Sequence, residues 1–453
     1  APGEHVRFDL YLLLALHSLG GESAKAALGV LVKKLAGGHA GAAWLDGAVR
    51  GHRATLEENY AVSLQACAEA LLQAKEPALQ GFGEQLYCLV FSTFTSARHR
   101  QAALGGLVGH CGEGAPAEAS GALRALAALA RDHCTDLSRF GSFLVTLLDH
   151  LGRFNRSQLY LVFGLFSDLV AHPYAQASCL EQALQSRLED EFYIVVRKQL
   201  SSSLARHRRV GVVASIAFAE RLLAAAGGAA SGDCKAHLEK EALAMLGQTL
   251  EQSRGRPGVL GFFCEEMASV VRSGAVGSGP LLAWLRDQVE ESFEGTFVGD
   301  LDDPARWGDG TAADRGGRPW FNLDPSDASL AIRILPLAAS ARESERHLLF
   351  SMCSQLRLLS AVVWAQKGSL EDIDALLGAP MHLVPDGWLE KFEDLLPEDQ
   401  DLCCQTLFFA CTWVVELINV YSLPLVESAA TQADPAQGFL RKLCLRLRNL
   451  QQL

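Results

Sequence analysis

The chain has 453 residues, is 49% hydrophobic and 20% charged, and carries 40 Lys and Arg against 52 Asp and Glu, a net charge of −12. The apolar fraction excludes a mostly disordered chain. The negative balance excludes a protein that coats nucleic acid by bulk charge, so any phosphate contact must come from a local patch or a partner.

Apolar spacing is helical nearly throughout. From Val6 to Leu16 the apolar residues cover more than one stripe, the pattern of a helix packed on two sides. Further helical segments are expected at 22–35, 54–74, 78–95, 97–110, 117–132, 135–151, 156–171 and 181–202. They continue at 204–226, 235–253, 257–274, 279–292, 343–366, 369–377, 398–421 and 434–452. The breaks are short and built from Gly, Pro or polar residues, as at Gly112-Glu113-Gly114-Ala115-Pro116. No tight repeat and no strong strand pattern stands out. Many helices with short connections over this length imply an all-α fold, an irregular HEAT-like α-solenoid of stacked antiparallel helix pairs.

One segment departs from that pattern. Glu290 to Asp327 is rich in Gly, Asp and Pro and holds ten acids against three bases, Arg306, Arg315 and Arg318. The run Leu330 to Leu335 that follows reads as a strand or an extended buried piece. The chain thus divides into a first helical part at 1–180 and a helical section with a basic strip at 181–292. An irregular acidic excursion at 293–340 and a final helical section at 341–453 complete it.

The twelve Cys are scattered through apolar helical text and form no C-x-x-C, so they read as free thiols serving as small core residues. The longest uncharged apolar run, Leu402 to Val415, is closed by Glu416 and falls short of the ~20 residues of a membrane span, so no membrane association is expected. The chain opens Ala1-Pro2-Gly3 without Met and reads as a section of something longer.

The usual catalytic signatures are absent. There is no Gly-Lys of a phosphate loop, no G-x-S-x-G and no H-E-x-x-H. Gly105-Gly106-Leu107-Val108-Gly109 follows no strand and reads as close helix packing. Pro385-Asp386 is not followed by the E-x-K of a metal-dependent nuclease, and Asp233-Cys234-Lys235 lies on its wrong side. His110-Cys111 and His133-Cys134 would be the first metal ligands to examine, but two such pairs at separate helix ends read as incidental. No catalytic residue, cofactor or metal is expected.

Residues 188–209 carry the clearest signal. Glu189, Asp190 and Glu191 precede Arg197 and Lys198, the charge order that suits a helix dipole. Arg206, Arg208 and Arg209 follow, giving five cations and no anion from 197 to 209. The plain reading is a helix end with a solvated basic turn. The functional reading is an exposed basic strip for phosphates or an acidic partner. At helical spacing Glu191, Ile194, Lys198, Ser201 and Ser202 share a side, which presents polar groups and one apolar residue to a partner.

The text from Ile194 through Arg197-Lys198-Gln199-Leu200 to Ser202, followed by Gly211-Val212-Val213-Ala214, resembles the Fanconi anaemia group D2 family around its ubiquitinated lysine. Phe140 to Leu151, Ser157 to Tyr160, Ile332 to Leu337 and Gly368 to Leu377 resemble further landmarks of that family in the same order. The resemblance implies a non-enzymatic nuclear scaffold of interstrand-crosslink repair. It implies pairing with a paralogue, the group I protein, to clamp double-stranded DNA, and one ubiquitin attached by a ligase complex to Lys198. Arg197, Arg206, Arg208 and Arg209 are the candidate contacts for the partner or DNA. The competing expectation is a generic helical-repeat adaptor that binds an acidic partner through the same strip.

Overall fold

The pair of helices Ala61–Leu72 and Pro77–Thr93 shows why neighbouring elements stack. Leu64, Leu71 and Leu72 are buried on the first, and Leu86, Val90 and Phe91 on the second. Pro77 opens the second helix at a position where its missing N–H costs nothing. A connection of a few residues forces the two to run antiparallel. Gly83 sits at their crossing, where an added Cβ would lie 2.6 Å from the backbone nitrogen of Leu72. Only glycine lets the backbones approach this closely.

The computed structural model describes residues 6–171, 179–228, 232–274, 279–300, 320–324, 330–431 and 436–453. These residues form two compact units. The first holds the described residues up to Ser202, with 213–225 and 232–234. The second holds 203–212, 226–228 and the described residues from Lys235 onward.

The first unit stacks Phe8–Ser18, Gly21–Ala36, Ala42–Gly51, Arg53–Asn59, Ala61–Leu72, Pro77–Thr93, Ala97–Glu113 and Pro116–Asp132, then Arg156–Ala171 and Cys179–Ser201. The second is built on Pro257–Arg272, Gly279–Phe297, Glu343–Lys367, Pro397–Thr431 and Ala436–Gln452. Both are the all-α, irregular HEAT-like stacking that the apolar periodicity implies. Glu343–Lys367 ends in a left-handed residue, Gly368 at φ 63°, a conformation that suits glycine at a helix terminus.

Several details differ from the sequence reading. The segment 54–74 is broken at Tyr60. The segment 135–151 is a chain of short pieces, Cys134–Ser138, Gly141–Leu144 and a 3₁₀ stretch Val145–Arg153. The segment 369–377 is a 3₁₀ turn followed by the short helix Asp374–Gly378. Helix Ala42–Gly51 was not expected, because glycines at both ends and at its centre mask its period. The acidic excursion begins later than Glu290, since Gly279–Phe297 stays helical through Phe293 and Phe297, which are buried. Residues 301–319 and 325–329, the rest of that excursion, lie outside the described residues.

Strands are present in the second unit, and of these only the one within Leu330 to Leu335 was expected, as a strand or an extended buried piece. β1 (Val298–Asp300), β2 (Trp320–Phe321), β3 (Leu330–Ile332) and β4 (Met381–His382) form one sheet in the order β1-β3-β4-β2. β1 pairs antiparallel with β3, β3 parallel with β4 through Ile332 and Met381, and β4 antiparallel with β2. Two or three residues per strand are too few to show a period of two.

Among the described residues three helices, Ala205–Gly228, Glu343–Lys367 and the Pro397–Ser422 part of Pro397–Thr431, are long and apolar enough to cross a membrane by length and composition. That corrects the reading based on uninterrupted apolar runs. Most of the first two apolar windows and half of the third are buried within the fold. A helix packed on two sides needs apolar residues nearly all round.

Candidate functional site

Lys198 lies in the last turn of Cys179–Ser201. Phe192, Val196 and Leu200, four residues apart, form the inner stripe of this helix and are all buried. The Phe192 ring is anchored by Phe163 at 6.1 Å and by Phe218 at 5.1 Å, and Tyr193 meets Phe218 edge-on at 5.5 Å. Burying such an aromatic contributes roughly 1.5–3 kcal/mol. That stripe turns the opposite side outward. Ile194 is 63% exposed, and Arg197, Lys198 and Ser201 are exposed with it. Glu191 and Ser202 are half-buried.

The helix stops in a run of serines. Ser201 Oγ donates to the carbonyl of Arg197 at 2.7 Å, and the Ser202 N–H donates to the carbonyl of Gln199 at 3.2 Å. Hydroxyls that bond the local backbone compete with a further helical turn. Among the described residues neither Arg197 nor Lys198 is paired with a carboxylate. An outward ammonium on a short, anchored turn is a reachable nucleophile once deprotonated.

The arginines expected beside it belong to the second unit, at the start of Ala205–Gly228. Arg206 is exposed. Arg208 is half-buried, and its Nη1 donates to the Gln252 carbonyl at 3.1 Å. Its charged form is disfavoured first by burial and then by the Arg256 guanidinium. Arg209 lays its guanidinium over the Phe262 ring at 5.6 Å. Arg208 and Arg209 therefore help to hold the fold, while Arg206 and Arg209 are exposed and Arg208 is not.

Arg256 was not legible as part of this group. It lies 47 or more residues along the chain, next to Pro257, and its Nη1 donates to the Ser203 carbonyl at 3.3 Å. The result is a cluster of cations at a helix N-terminus, where the helix dipole disfavours positive charge. An anion placed there would relieve both the dipole and the mutual repulsion.

The residues that first recommended a metal do not form a site. His110 Nε2 meets the Tyr87 hydroxyl at 3.0 Å, and its Nδ1 contacts the Glu118 carboxylate. Cys134 donates to the Asp168 carbonyl at 3.5 Å. Burial pushes the Cys111 and Cys134 thiols up to about 12, so both stay protonated. Among the described residues no group of three or more His, Cys, Asp or Glu is placed to hold a metal ion. The described cysteines are free thiols. Within the glycine cluster Gly106 serves close helix packing, since an added Cβ there would be 2.8 Å from the Tyr87 hydroxyl, whereas a Cβ at Gly109 would meet nothing within 4 Å.

A family model described as Fanconi anaemia protein FancD2 nuclease matches residues 1–451. The Fanconi anemia group D2 protein of Gallus gallus is 26% identical over 445 residues, covering 92% of this chain and 30% of that protein. The homologue of Mus musculus is 24% identical over 446 residues, covering 93% and 29%. The chain thus spans less than a third of the length of these relatives. A crystal structure of Kap121p bound to Nup53p aligns over 97% of this chain and 44% of its own at 12% identity. The TM-score of that alignment is 0.31. With a family model matched from residue 1 to residue 451, the chain belongs to the FancD2 family of Fanconi anaemia proteins.

Proposed function

We propose that this chain is the helical section of a nuclear Fanconi anaemia pathway scaffold that receives a single ubiquitin on Lys198. The observation that carries the reading is the placement of Lys198. It is exposed on an anchored helix end, with no carboxylate partner among the described residues, in a chain of this family. In the reaction the ligase complex delivers ubiquitin as a thioester. The neutral Lys198 amine attacks the thioester carbonyl, an isopeptide bond forms, the thiol leaves and the amine gives up its proton.

The exposed Ile194 one turn before Lys198 supports the second element, pairing with the paralogous group I protein. An exposed apolar residue beside the acceptor offers a contact for a partner to cover. The third element is a clamp on double-stranded DNA. Arg206, with Arg208, Arg209 and Arg256, supplies local positive charge to a chain whose net charge is −12. Most phosphate neutralisation is assigned to the partner, because a few arginines give only a shallow salt dependence. The section itself is proposed to be non-enzymatic, so DNA incubated with it and Mg²⁺ or Mn²⁺ should remain intact.

The test is a reconstituted ubiquitination reaction with the cognate ligase complex and the paralogous partner. Lys198→Arg keeps the charge and stem but removes the acceptor amine. It should abolish the single modified band while folding and partner binding persist, and Ser202→Ala should be modified as the wild type is. Undiminished modification of Lys198→Arg would remove the basis of the proposal.

A further inference from the structure

The second unit carries a groove of about 1070 Å³ between Glu343–Lys367, Pro397–Thr431 and the turn around Trp388. Its floor is an apolar cluster of buried Leu335, Val384 and Cys403, with Trp388 and Leu402 packed against it. Its wall is aromatic. Phe350 is 61% exposed and Phe408 58% exposed, and both stack edge-on against Phe409, at 5.4 and 5.3 Å. Two phenylalanines held outward on rigid helices, over a built apolar floor, form a preorganised contact surface rather than scattered exposure.

The rim is acidic. Glu343, Glu398, Asp399 and Asp401 line it, opposed by Arg346 and His347. Arg346 is tied to the Ser340 carbonyl at 3.2 Å, and His347 lies 3.6 Å from Glu343. Glu398 and Asp401 are exposed and have no cationic partner among the described residues. This combination selects among occupants. Nucleic acid and anionic membrane headgroups are repelled by the carboxylates. A second copy would bring its own acidic rim against this one.

We propose that this groove docks an amphipathic helix of a partner protein, with large apolar side chains on one face and Lys or Arg along its flanks. The apolar face seats over Leu335, Val384 and Leu402, between Phe350 and Phe408. The flanking cations meet Glu398, Asp399 and Asp401. This is helix-in-groove recognition, with apolar anchors giving affinity and charges giving orientation. The assignment uses only residues of the second unit and is independent of the role of Lys198.

The probe is a set of fluorescent helical peptides of about 18 residues, ~27 Å long, with Leu or Phe on one face and Lys elsewhere. Matched peptides carry Glu in place of Lys. Anisotropy titration of the folded chain should show micromolar binding of the Lys peptides and none of the Glu peptides. Phe350→Ala with Phe408→Ala should weaken binding by at least ~10-fold without changing the thermal midpoint, since both rings are largely solvent-exposed. Glu398→Lys with Asp401→Lys, at two exposed positions, should reverse the preference toward the Glu peptides. No binding by the Lys peptides, equal binding of both sets, or variants that bind as the wild type does would overturn the proposal. So would groove-dependent self-association in sedimentation, or binding to phosphatidylserine vesicles that the phenylalanine variants abolish.

Discussion

Arg446 and Lys198 are both helix-borne cations, each in a different unit, and the fold treats them oppositely. Arg446 is fully buried on Ala436–Gln452. Its Nη1 and Nη2 meet the Asp324 carboxylate at 3.1 and 3.0 Å and donate to the carbonyls of Leu323 and Leu377, each at 2.8 Å. It joins the last helix to the segment after β2 and to the short helix before β4. Lys198 is exposed, and among the described residues no carboxylate takes its charge. A buried cation held through both terminal nitrogens is a structural part and is closed to partners. A cation held outward by a buried stripe on its own helix is available for chemistry.

The largest expected effect comes from breaking the buried side of that comparison. Arg446→Ala leaves Asp324 without its cation and two carbonyls without a donor. It should destabilise the second unit by roughly 3–5 kcal/mol, read as earlier denaturant unfolding and faster hydrogen exchange around Leu323 and Leu377. The pair Arg446→Met with Asp324→Asn should recover part of that loss, because no uncompensated charge remains. If Arg446→Ala is as stable as the parent, the guanidinium is not the clasp described.

Phe192→Ala attacks the support of the exposed side. Removing a ring held by Phe163 and Phe218 should cost about 3–5 kcal/mol. It should also loosen the helix end that presents Lys198, so amide exchange at 196–202 would rise well above that of the rest of the first unit. Unchanged protection there would mean that the aromatic stripe does not set the position of the lysine.

A smaller effect is expected from acid. Burial lowers His382 on β4 to about 4, from an ordinary value of 6.5. The unfolded chain therefore binds the proton first. The contribution of neutral His382 is full above about pH 6.5 and is lost as pH falls toward 4. Between pH 7 and about 5.5 the second unit should lose on the order of 1 kcal/mol. His382→Gln should flatten that part of the profile, and a slope that survives the substitution would assign it elsewhere.

Much of the fold was legible because its helices are long and periodic. The outward placement of Lys198 and Ile194 followed from spacing of three and four residues. What was not legible depends on contacts between distant residues. Arg446 reaches partners 69 and 122 residues away, and nothing beside it in sequence marks it as buried. Arg256 joins the basic cluster through Ser203, 53 residues back. The groove is assembled from helices whose apolar text reads as core, and only packing reveals that Phe350 and Phe408 face outward. Strands β1, β2 and β4 were missed because their pairing, not their sequence, defines them, whereas β3 lies in the apolar run Leu330 to Leu335.

The central claim is that Lys198 is the acceptor because the helix end presents it and no carboxylate among the described residues pairs with it. The most direct measurement is mass-spectrometric mapping of the ubiquitin remnant after reaction with the cognate ligase complex. The account predicts one modified peptide, carrying the remnant on Lys198. A remnant spread over other exposed lysines such as Lys25 and Lys235, or placed on one of them alone, would contradict it.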